Sequence, residues 1–336
     1  MIDRYSRQVL FAGVGGDGQG RLGRSSVAII GCGALGTIIA TSLVRAGVGR
    51  VRIIDRDFIE LHNLQRQVLF DEDDIENQLP KAIAAERHLK KVNSSVEIEG
   101  IVADVNCTNV ERFISDTDLV LDGLDNRETR LLINDACLKH KIPWVYGGAI
   151  SSSGMTMNII PGESPCFRCC TPVPSGGGVA LTCDTVGIIS SAPFIIGSLQ
   201  AVEALKILVG AEEINRDLIV IDVWKGEFNR FKINRRHDCP ACQGRYEFLE
   251  GKFGVRATVL CGQNAVQVSN PVTAALSFEE LAARLRPSGD VSYNEYMLRF
   301  TVDNREMVIF PDGRTIVKNT VDESSARAFY NKYIAT

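Results

Sequence analysis

The sequence predicts an α/β fold: a doubly wound, mostly parallel Rossmann-like sheet with an antiparallel extension and a structural zinc site, followed by a small C-terminal α+β module. Three observations support this prediction. Short apolar runs alternate with helical patterns over residues 26–149. A glycine-rich turn, Gly31-x-Gly33-x-x-Gly36, directly follows the first apolar run. Two Cys-x-x-Cys pairs occur later in the chain.

Each predicted element has its own signal. Strands are predicted at apolar runs that end near glycine or aspartate, at 26–30, 51–55, 96–102, 119–122 and 144–149. Helices are predicted where apolar residues recur with helical spacing, at 37–46, 80–92 and 129–140. Such alternation builds a parallel sheet with right-handed crossovers. Segments 151–160 and 217–233 are predicted as antiparallel strands flanking a helix at 186–209.

Composition excludes several classes of protein. The 336 residues include 37 basic and 41 acidic side chains, and a net charge of −4 argues against a general nucleic-acid or membrane-surface binder. The first residues carry charges where a signal peptide needs an apolar core. The apolar stretch 186–202 contains Pro and Gln and continues into Glu203, which is typical of a buried helix. We expect a cytoplasmic protein that binds neither nucleic acid nor membrane.

The character of the chain changes after the second cysteine pair. We therefore predict two domains, 1–248 with the nucleotide and zinc sites and 249–336 as the α+β module. In the module, helices are predicted at 277–285 and 322–333, and strands within 295–318 with a turn at 311–313.

The glycine-rich turn predicts a nucleotide site. Gly31, Gly33 and Gly36 let the backbone approach phosphates at the start of a helix, where N–H groups point outward. Ala34 lies inside the turn, and we expect its methyl group to be small enough to leave room for the nucleotide. Asp55 ends the second predicted strand, 24 residues after Gly31, where an acid accepts hydrogen bonds from ribose hydroxyls. Taken alone, this pattern favours a dinucleotide, so an NAD-dependent oxidoreductase is one hypothesis.

Charged residues that follow favour a different chemistry. Arg66 and Lys81 are placed to neutralise a triphosphate, and Asp125, beside Asn126 at the end of a parallel strand, is placed to hold Mg²⁺ against it. Phosphoryl and nucleotidyl transfer require such charge neutralisation and alignment, whereas hydride transfer does not. A third hypothesis is a non-catalytic scaffold that has kept the fold.

The paired cysteines predict a zinc site. Cys166, Cys169, Cys239 and Cys242 have the spacing that aims two sulfurs of each pair at one point. Four thiolates leave no open position for water, so the predicted site is structural.

A series of separated motifs gives the chain a specific resemblance, listed here in sequence order: Arg4-Tyr-Ser-Arg7-Gln8, Gly31–Gly36, Asn63-Leu-Gln-Arg66-Gln67, Pro80-Lys81, Leu121-Asp-Gly-Leu-Asp125-Asn126, Cys166-Phe-Arg-Cys169, Ala180-Leu-Thr-Cys183, Gly197-Ser-Leu-Gln-Ala-Val-Glu203 and Cys239-Pro-Ala-Cys242. Over about residues 3–245 the chain resembles the ThiF/MoeB/HesA family, the bacterial relatives of ubiquitin-activating enzymes.

The resemblance implies an adenylyltransferase that uses MgATP. Its partner would be a small ubiquitin-like sulfur carrier with a Gly-Gly C-terminus, ThiS or MoaD, for thiamine or molybdopterin synthesis. The carrier's glycine carboxylate would attack the α-phosphate, giving an acyl-adenylate and pyrophosphate. By the family pattern, Asn63, Arg66 and Lys81 would contact the phosphates, Asp55 the ribose and Asp125 the metal.

The resemblance also implies roles for two further residues. Arg7 is expected to reach from one subunit of a homodimer into the partner's site. Cys183 follows a glycine-rich loop, and two alternatives stay open: it forms a thioester or acyl-disulfide with the carrier, or it is dispensable. Because no cysteine follows Cys261, the module lacks a sulfurtransferase loop, and a separate cysteine desulfurase is expected as the sulfur source.

Overall fold

The structure is a computed structural model that describes residues 4–171, 186–252, 258–260, 265–268, 277–311, 313–320 and 322–334. Its contacts divide the chain into two compact units, Met1–Ala180 with Gly187–Phe253, and Leu181–Val186 with Gly254–Thr336. Each unit has its own sheet and its own hydrophobic core. The assignment of functions to 1–248 and 249–336 stays a prediction.

The first unit contains an eight-stranded sheet. Its strands are β1 (Ser26–Ile30), β2 (Arg50–Asp55), β3 (Glu97–Val102), β4 (Leu119–Asp122), β5 (Trp144–Ile150), β6 (Ser153–Ile159), β7 (Leu218–Asp222) and β8 (Glu227–Phe231). They lie in the order β3-β2-β1-β4-β5-β6-β7-β8. Pairing is parallel from β3 to β5 and antiparallel from β5 to β8. The predicted parallel sheet with an antiparallel extension is confirmed.

Helices cover both faces of this sheet, as expected when parallel strands are joined by crossovers. They are α1 (Ser6–Val9), α2 (Gly15–Leu22), α3 (Ala34–Ala46), α4 (Glu72–Glu76), α5 (Lys81–Val92), α6 (Val110–Ile114), α7 (Arg127–His140), α8 (Phe167–Cys170) and α9 (Ser191–Val209). α3 begins three residues before the predicted start at 37, because Gly33 is extended and the helix starts directly on the glycine turn.

One core helix, α9, is both long and apolar. Within the described part of the chain, α9 alone is long and apolar enough to cross a membrane, with a mean hydropathy of 1.5 over its apolar window. That window is 56% buried in the fold, where α9 packs on α3 and β5. Such burial is typical of a core helix, as the sequence pattern predicted.

The described residues of the second unit form a six-stranded antiparallel sheet and two helices. The strands are β9 (Thr258–Leu260), β10 (Ala265–Val268), β11 (Asp290–Tyr293), β12 (Leu298–Val302), β13 (Arg305–Ile309) and β14 (Thr315–Lys318), in the order β11-β12-β13-β14-β10-β9. The helices are α10 (Phe278–Leu285) and α11 (Glu323–Tyr333), capped by Ser277 and Asp322. Both helices supply residues to one apolar core with the sheet, which confirms an α+β module.

Candidate active site at the carboxyl edge of the sheet

The order of the strands creates a crevice at one place. The chain leaves β1 towards β2 and β3 and later returns to place β4 on the other side of β1. Open α/β sheets bind ligands at such a switch point, outside the carboxyl ends of the strands. The glycine turn after β1 and the turn Gly123–Asp125 after β4 both lie at this edge.

Three glycines allow these two turns to pack backbone against backbone. The amide of Gly123 donates to the carbonyl of Ile30 at 2.8 Å. A Cβ on Gly31 would lie 2.6 Å from the Gly123 oxygen, and one on Gly123 would lie 2.1 Å from the Gly31 oxygen. A Cβ on Gly36 would also lie 2.1 Å from the Gly31 oxygen. No side chain fits at these distances, so the contact between the turns requires glycine.

Gly33 is different, because the fold leaves room beside it. Among the residues that the structure describes, a Cβ there would meet only the Gly123 oxygen, at an ordinary 3.6 Å. Gly33 is the N-cap of α3 and provides no side-chain cap, and Ala34 is the first helical residue. The first-turn N–H groups of α3 are therefore suited to bind an anion, with space for it to approach the backbone.

Asp55 and Lys81 lie in a buried charge cluster. Asp55 accepts from the amides of Cys32 at 2.6 Å and Asp57 at 2.7 Å, which fixes the glycine turn to the end of β2. Burial raises the pKa of Asp55, and the nearby Lys81 opposes that rise. Lys81 Nζ lies 3.2 Å from Asp57 Oδ2. Burial would lower the pKa of Lys81, but Asp57 and Asp55 outweigh it and raise the pKa, so the ammonium stays charged.

Asp125 joins this cluster from the other turn. Its carboxylate is exposed, and its charge also acts on Lys81, Arg56 and Arg130. Asn126 beside it caps α7 by accepting from the Thr129 amide at 2.9 Å. An exposed carboxylate beside an open anion site is suited to a metal ion that bridges to phosphates.

The segment Asn63–Gln67 follows β2 and has a compact local structure. Asn63 is buried and its Oδ1 accepts from the Glu60 amide at 3.1 Å, which closes a 3-10 turn. Arg66 is half-buried and donates to the His62 carbonyl at 2.7 Å. Asn63 therefore shapes the turn that carries Arg66, and the phosphate contacts expected of both stay predictions.

Arg7 lies away from this crevice. The side chain of Asn93 donates to the Tyr5 hydroxyl at 2.8 Å, and Gln8 donates to the Ala46 carbonyl at 2.9 Å. These contacts fix α1 at the end of α3, whose 13 residues span about 20 Å from the glycine turn. Arg7 is exposed and has no hydrogen-bond or ion-pair partner among the residues that the structure describes.

Two charged residues near the site, Asp57 and Arg130, were not predicted from the sequence. Asp57, the partner of Lys81, and Arg130 stand in no recognised motif, and their only signal was a charge just after β2 or in the first turn of α7. Cys183 lies outside the described residues.

The two Cys-x-x-Cys pairs meet as predicted. The four sulfurs of Cys166, Cys169, Cys239 and Cys242 lie within 4.8 Å of one another, with individual separations of 3.6, 3.6 and 3.8 Å. Zn–S bonds of about 2.3 Å in a tetrahedron place the sulfurs about 3.8 Å apart. The arrangement is therefore compatible with tetrahedral zinc. Cys170 points elsewhere, with its sulfur 3.5 Å from that of Met157.

Comparison with known proteins identifies the family. The model of the ThiF family matches residues 5–241. The chain belongs to the ThiF family. It is 44% identical over 339 residues to the sulfur carrier protein ThiS adenylyltransferase of Bacillus subtilis, covering 99% of this chain and 100% of that one. It is 36% identical to the sulfur carrier protein adenylyltransferase of Thermus thermophilus, over 72% of this chain and 90% of that one.

A solved structure has a fold similar to that of this chain. MccB of E. coli in complex with succinimide aligns with a TM-score of 0.64 at 23% identity, over 72% of this chain and 74% of that chain. The resemblance stated from the motifs is thus confirmed at the level of family and fold, and the roles of individual residues stay predictions.

Gly33→Ala should separate nucleotide binding from folding. Its Cβ has room in the protein, so stability should change by about 1 kcal/mol or less, while ATP affinity measured by calorimetry should fall about tenfold. Gly36→Ala is the control, because its Cβ would overlap the Gly31 carbonyl and should disrupt the fold. A folded Gly33→Ala protein with unchanged ATP affinity would contradict a phosphate site at this turn.

Cys239→Ser should destabilise the first unit by removing one ligand of a structural metal. We expect melting roughly 10 °C lower, because losing a bound metal removes several kcal/mol of folding free energy. Metal content is measured in parallel by elemental analysis. Cys170→Ser, outside the four-sulfur cluster, should retain the metal and most of the stability. Verified loss of metal with unchanged melting would show that the cluster is not a structural metal site.

Proposed function

We propose that this chain is an adenylyltransferase that uses ATP to activate the C-terminal glycine carboxylate of a ubiquitin-like sulfur carrier. One observation carries the proposal: the glycine turn and the exposed Asp125 lie together at the carboxyl edge of the sheet in a chain of the ThiF family. The relative from Bacillus subtilis, which aligns over its whole length, is named for ThiS. This name favours ThiS over MoaD as the carrier, and thus thiamine synthesis.

Backbone N–H groups and cationic side chains would both bind the phosphates. The first-turn amides of α3 would hold the triphosphate beside Gly31, Gly33 and Ala34, as helix N-termini hold anions elsewhere. Lys81 stays charged because two carboxylates flank it, and Arg66 follows on the neighbouring turn, near Asn63. Asp55 would accept from the ribose, since each carboxylate oxygen retains a second lone pair beside its amide contact.

The proposed reaction is displacement at the α-phosphorus. A carboxylate oxygen of the carrier forms a bond to that phosphorus, the bond to the bridging oxygen breaks, and pyrophosphate leaves. Negative charge gathers on the phosphoryl oxygens, so preorganised cations are the main contribution that the protein can make. Asp125, with Asn126 beside it, would hold Mg²⁺, and Mg²⁺ when bound supplies charge neutralisation.

A homodimer would complete the site. Arg7 is fixed about 20 Å along α3 from the glycine turn of its own chain. Leu10 and Phe11, close to it in sequence, are 74% and 67% exposed, which is typical of a surface that a partner covers. A second subunit seated on this surface would receive Arg7 in its own crevice.

The remaining features fit the same function. The four-cysteine cluster would bind Zn²⁺ and join the segment after β6 to the segment after β8. Cys183 would act on the adenylated carrier or be dispensable, and a cysteine desulfurase would supply sulfur. ATP and reduced thiols are both present in the cytoplasm, where we place the protein. The family and its named relatives do not favour an NAD-dependent oxidoreductase or a scaffold.

Carrier-dependent exchange of radiolabelled pyrophosphate into ATP tests the proposed function. We expect exchange with MgATP and ThiS, less with MoaD, and none with a carrier that lacks its terminal glycine. Exchange should be absent in Asp125→Ala, while its melting temperature is retained because the side chain is exposed at a strand end. Wild-type protein that supports no exchange with either carrier would refute the function.

Subunit mixing tests whether Arg7 acts across a dimer. Arg7→Ala and Asp125→Ala should each be inactive, because each removes one part of every site. Co-expressed in equal amounts, they should recover about a quarter of wild-type activity, since half of the symmetric dimers become mixed and each mixed dimer has one intact site. Arg4→Ala is a control that changes a neighbouring arginine whose side chain binds the Val92 carbonyl. No recovery in mixed dimers would exclude action in trans.

A further inference from the structure

A buried ion pair lies directly beneath the turn that carries Asp125. Asp122 ends β4 and is fully buried, and its Oδ2 lies 2.9 Å from Nε of Arg130 in the first turn of α7. The other oxygen of Asp122 accepts from the Leu124 amide at 2.9 Å. The guanidinium of Arg130 lies over the Tyr146 ring, with its carbon 5.3 Å from the ring centroid.

Arg130 also binds the turn from its other side. Its Nη2 donates to the Leu124 carbonyl at 2.5 Å and to the Gly147 carbonyl at 2.9 Å, the latter on β5. The pair therefore fixes both the N–H and the C=O of Leu124, the residue immediately before Asp125. On the other side of Asp125, the Asn126 side chain caps α7. The position of the Asp125 backbone is thus set on both sides, while its carboxylate remains exposed.

Stability alone does not account for such a pair. Burial raises the pKa of Asp122, with Arg130 opposing the rise, so the carboxylate has lost much of its hydration. A buried ion pair often contributes less stability than apolar residues of similar size, although removing one partner is costly. What the pair supplies is geometry, because the planar guanidinium donates in three fixed directions at once.

We propose that Asp122 and Arg130 are positioning residues that hold the Asp125 carboxylate in place for the metal ion that accompanies ATP. The inference rests on the proposed function of Asp125 as a metal ligand. Groups that orient a metal ligand from behind affect metal affinity without touching the metal.

Arg130→Lys tests the role of the planar guanidinium, which donates to three acceptors at once. Lysine can still pair with Asp122 but cannot donate to the Leu124 and Gly147 carbonyls together in the same geometry. The readout is ATP affinity by calorimetry with and without Mg²⁺, which requires no carrier. We expect ATP affinity without Mg²⁺ to be retained. The ratio of ATP affinity with Mg²⁺ to ATP affinity without it should fall about 10- to 100-fold.

A second variant keeps the test valid if the single change unfolds the protein. Asp122→Leu with Arg130→Met replaces both charges by apolar groups, which should preserve folding while releasing the turn. Arg52→Lys is the matched control, because Arg52 is similarly buried and binds Glu99 and Asp116 at the opposite edge of the sheet. It should lower the melting temperature and leave the Mg²⁺ effect unchanged.

Two results would overturn the proposal. One is a folded Arg130→Lys or double variant in which Mg²⁺ tightens ATP binding as in the wild type. The other is wild-type protein whose ATP affinity does not respond to Mg²⁺. Absence of carrier-dependent exchange, with the Mg²⁺ effect present in the wild type and lost in the variants, would contradict the proposed function and support the positioning role.

Discussion

The contact between two backbone turns is the constraint on which the site depends. The turn after β1 and the turn after β4 approach so closely that neither Gly31 nor Gly123 has room for a Cβ, and Gly36 has none beside the Gly31 carbonyl. This contact sets the start of α3, and thus the direction of its free amides, relative to Asp125. A side chain on Gly31 or Gly123 would push the two turns apart, and one on Gly36 would push the start of α3 away from Gly31.

Around this contact, the protein places charge in two layers. The outer layer consists of Asp125, which is exposed, and Arg66, which is half-buried, whereas the buried layer keeps the turns in position. Lys81 belongs to the buried layer, where it stays charged beside Asp57. Burying charges costs free energy, and here the cost is offset by pairing every buried charge with a partner of opposite sign or with backbone groups.

The sequence predicted the fold well where the pattern was periodic. The boundaries of β1 and β4 were predicted correctly because both strands are continuous apolar runs, and the four cysteines meet because their spacing dictates it. Short helices such as α4 and α6 were not predicted, since five residues are too few to show a helical period.

Apart from the paired cysteines, contacts between distant residues were not predicted from the sequence. That Arg130 would bind the turn before Asp125 depends on how α7 packs against β4 and β5, which no local pattern encodes. The same holds for Arg7. Its motif predicted a role, but its distance from the glycine turn is known only from the fold.

A crystal structure with a non-hydrolysable ATP analogue and Mn²⁺ tests the account most directly, because Mn²⁺ is located by its anomalous scattering. We predict one Mn²⁺ peak at the Asp125 carboxylate and phosphates at the first turn of α3, beside Gly33. A nucleotide bound elsewhere, or Mn²⁺ that does not contact Asp125, would contradict the account.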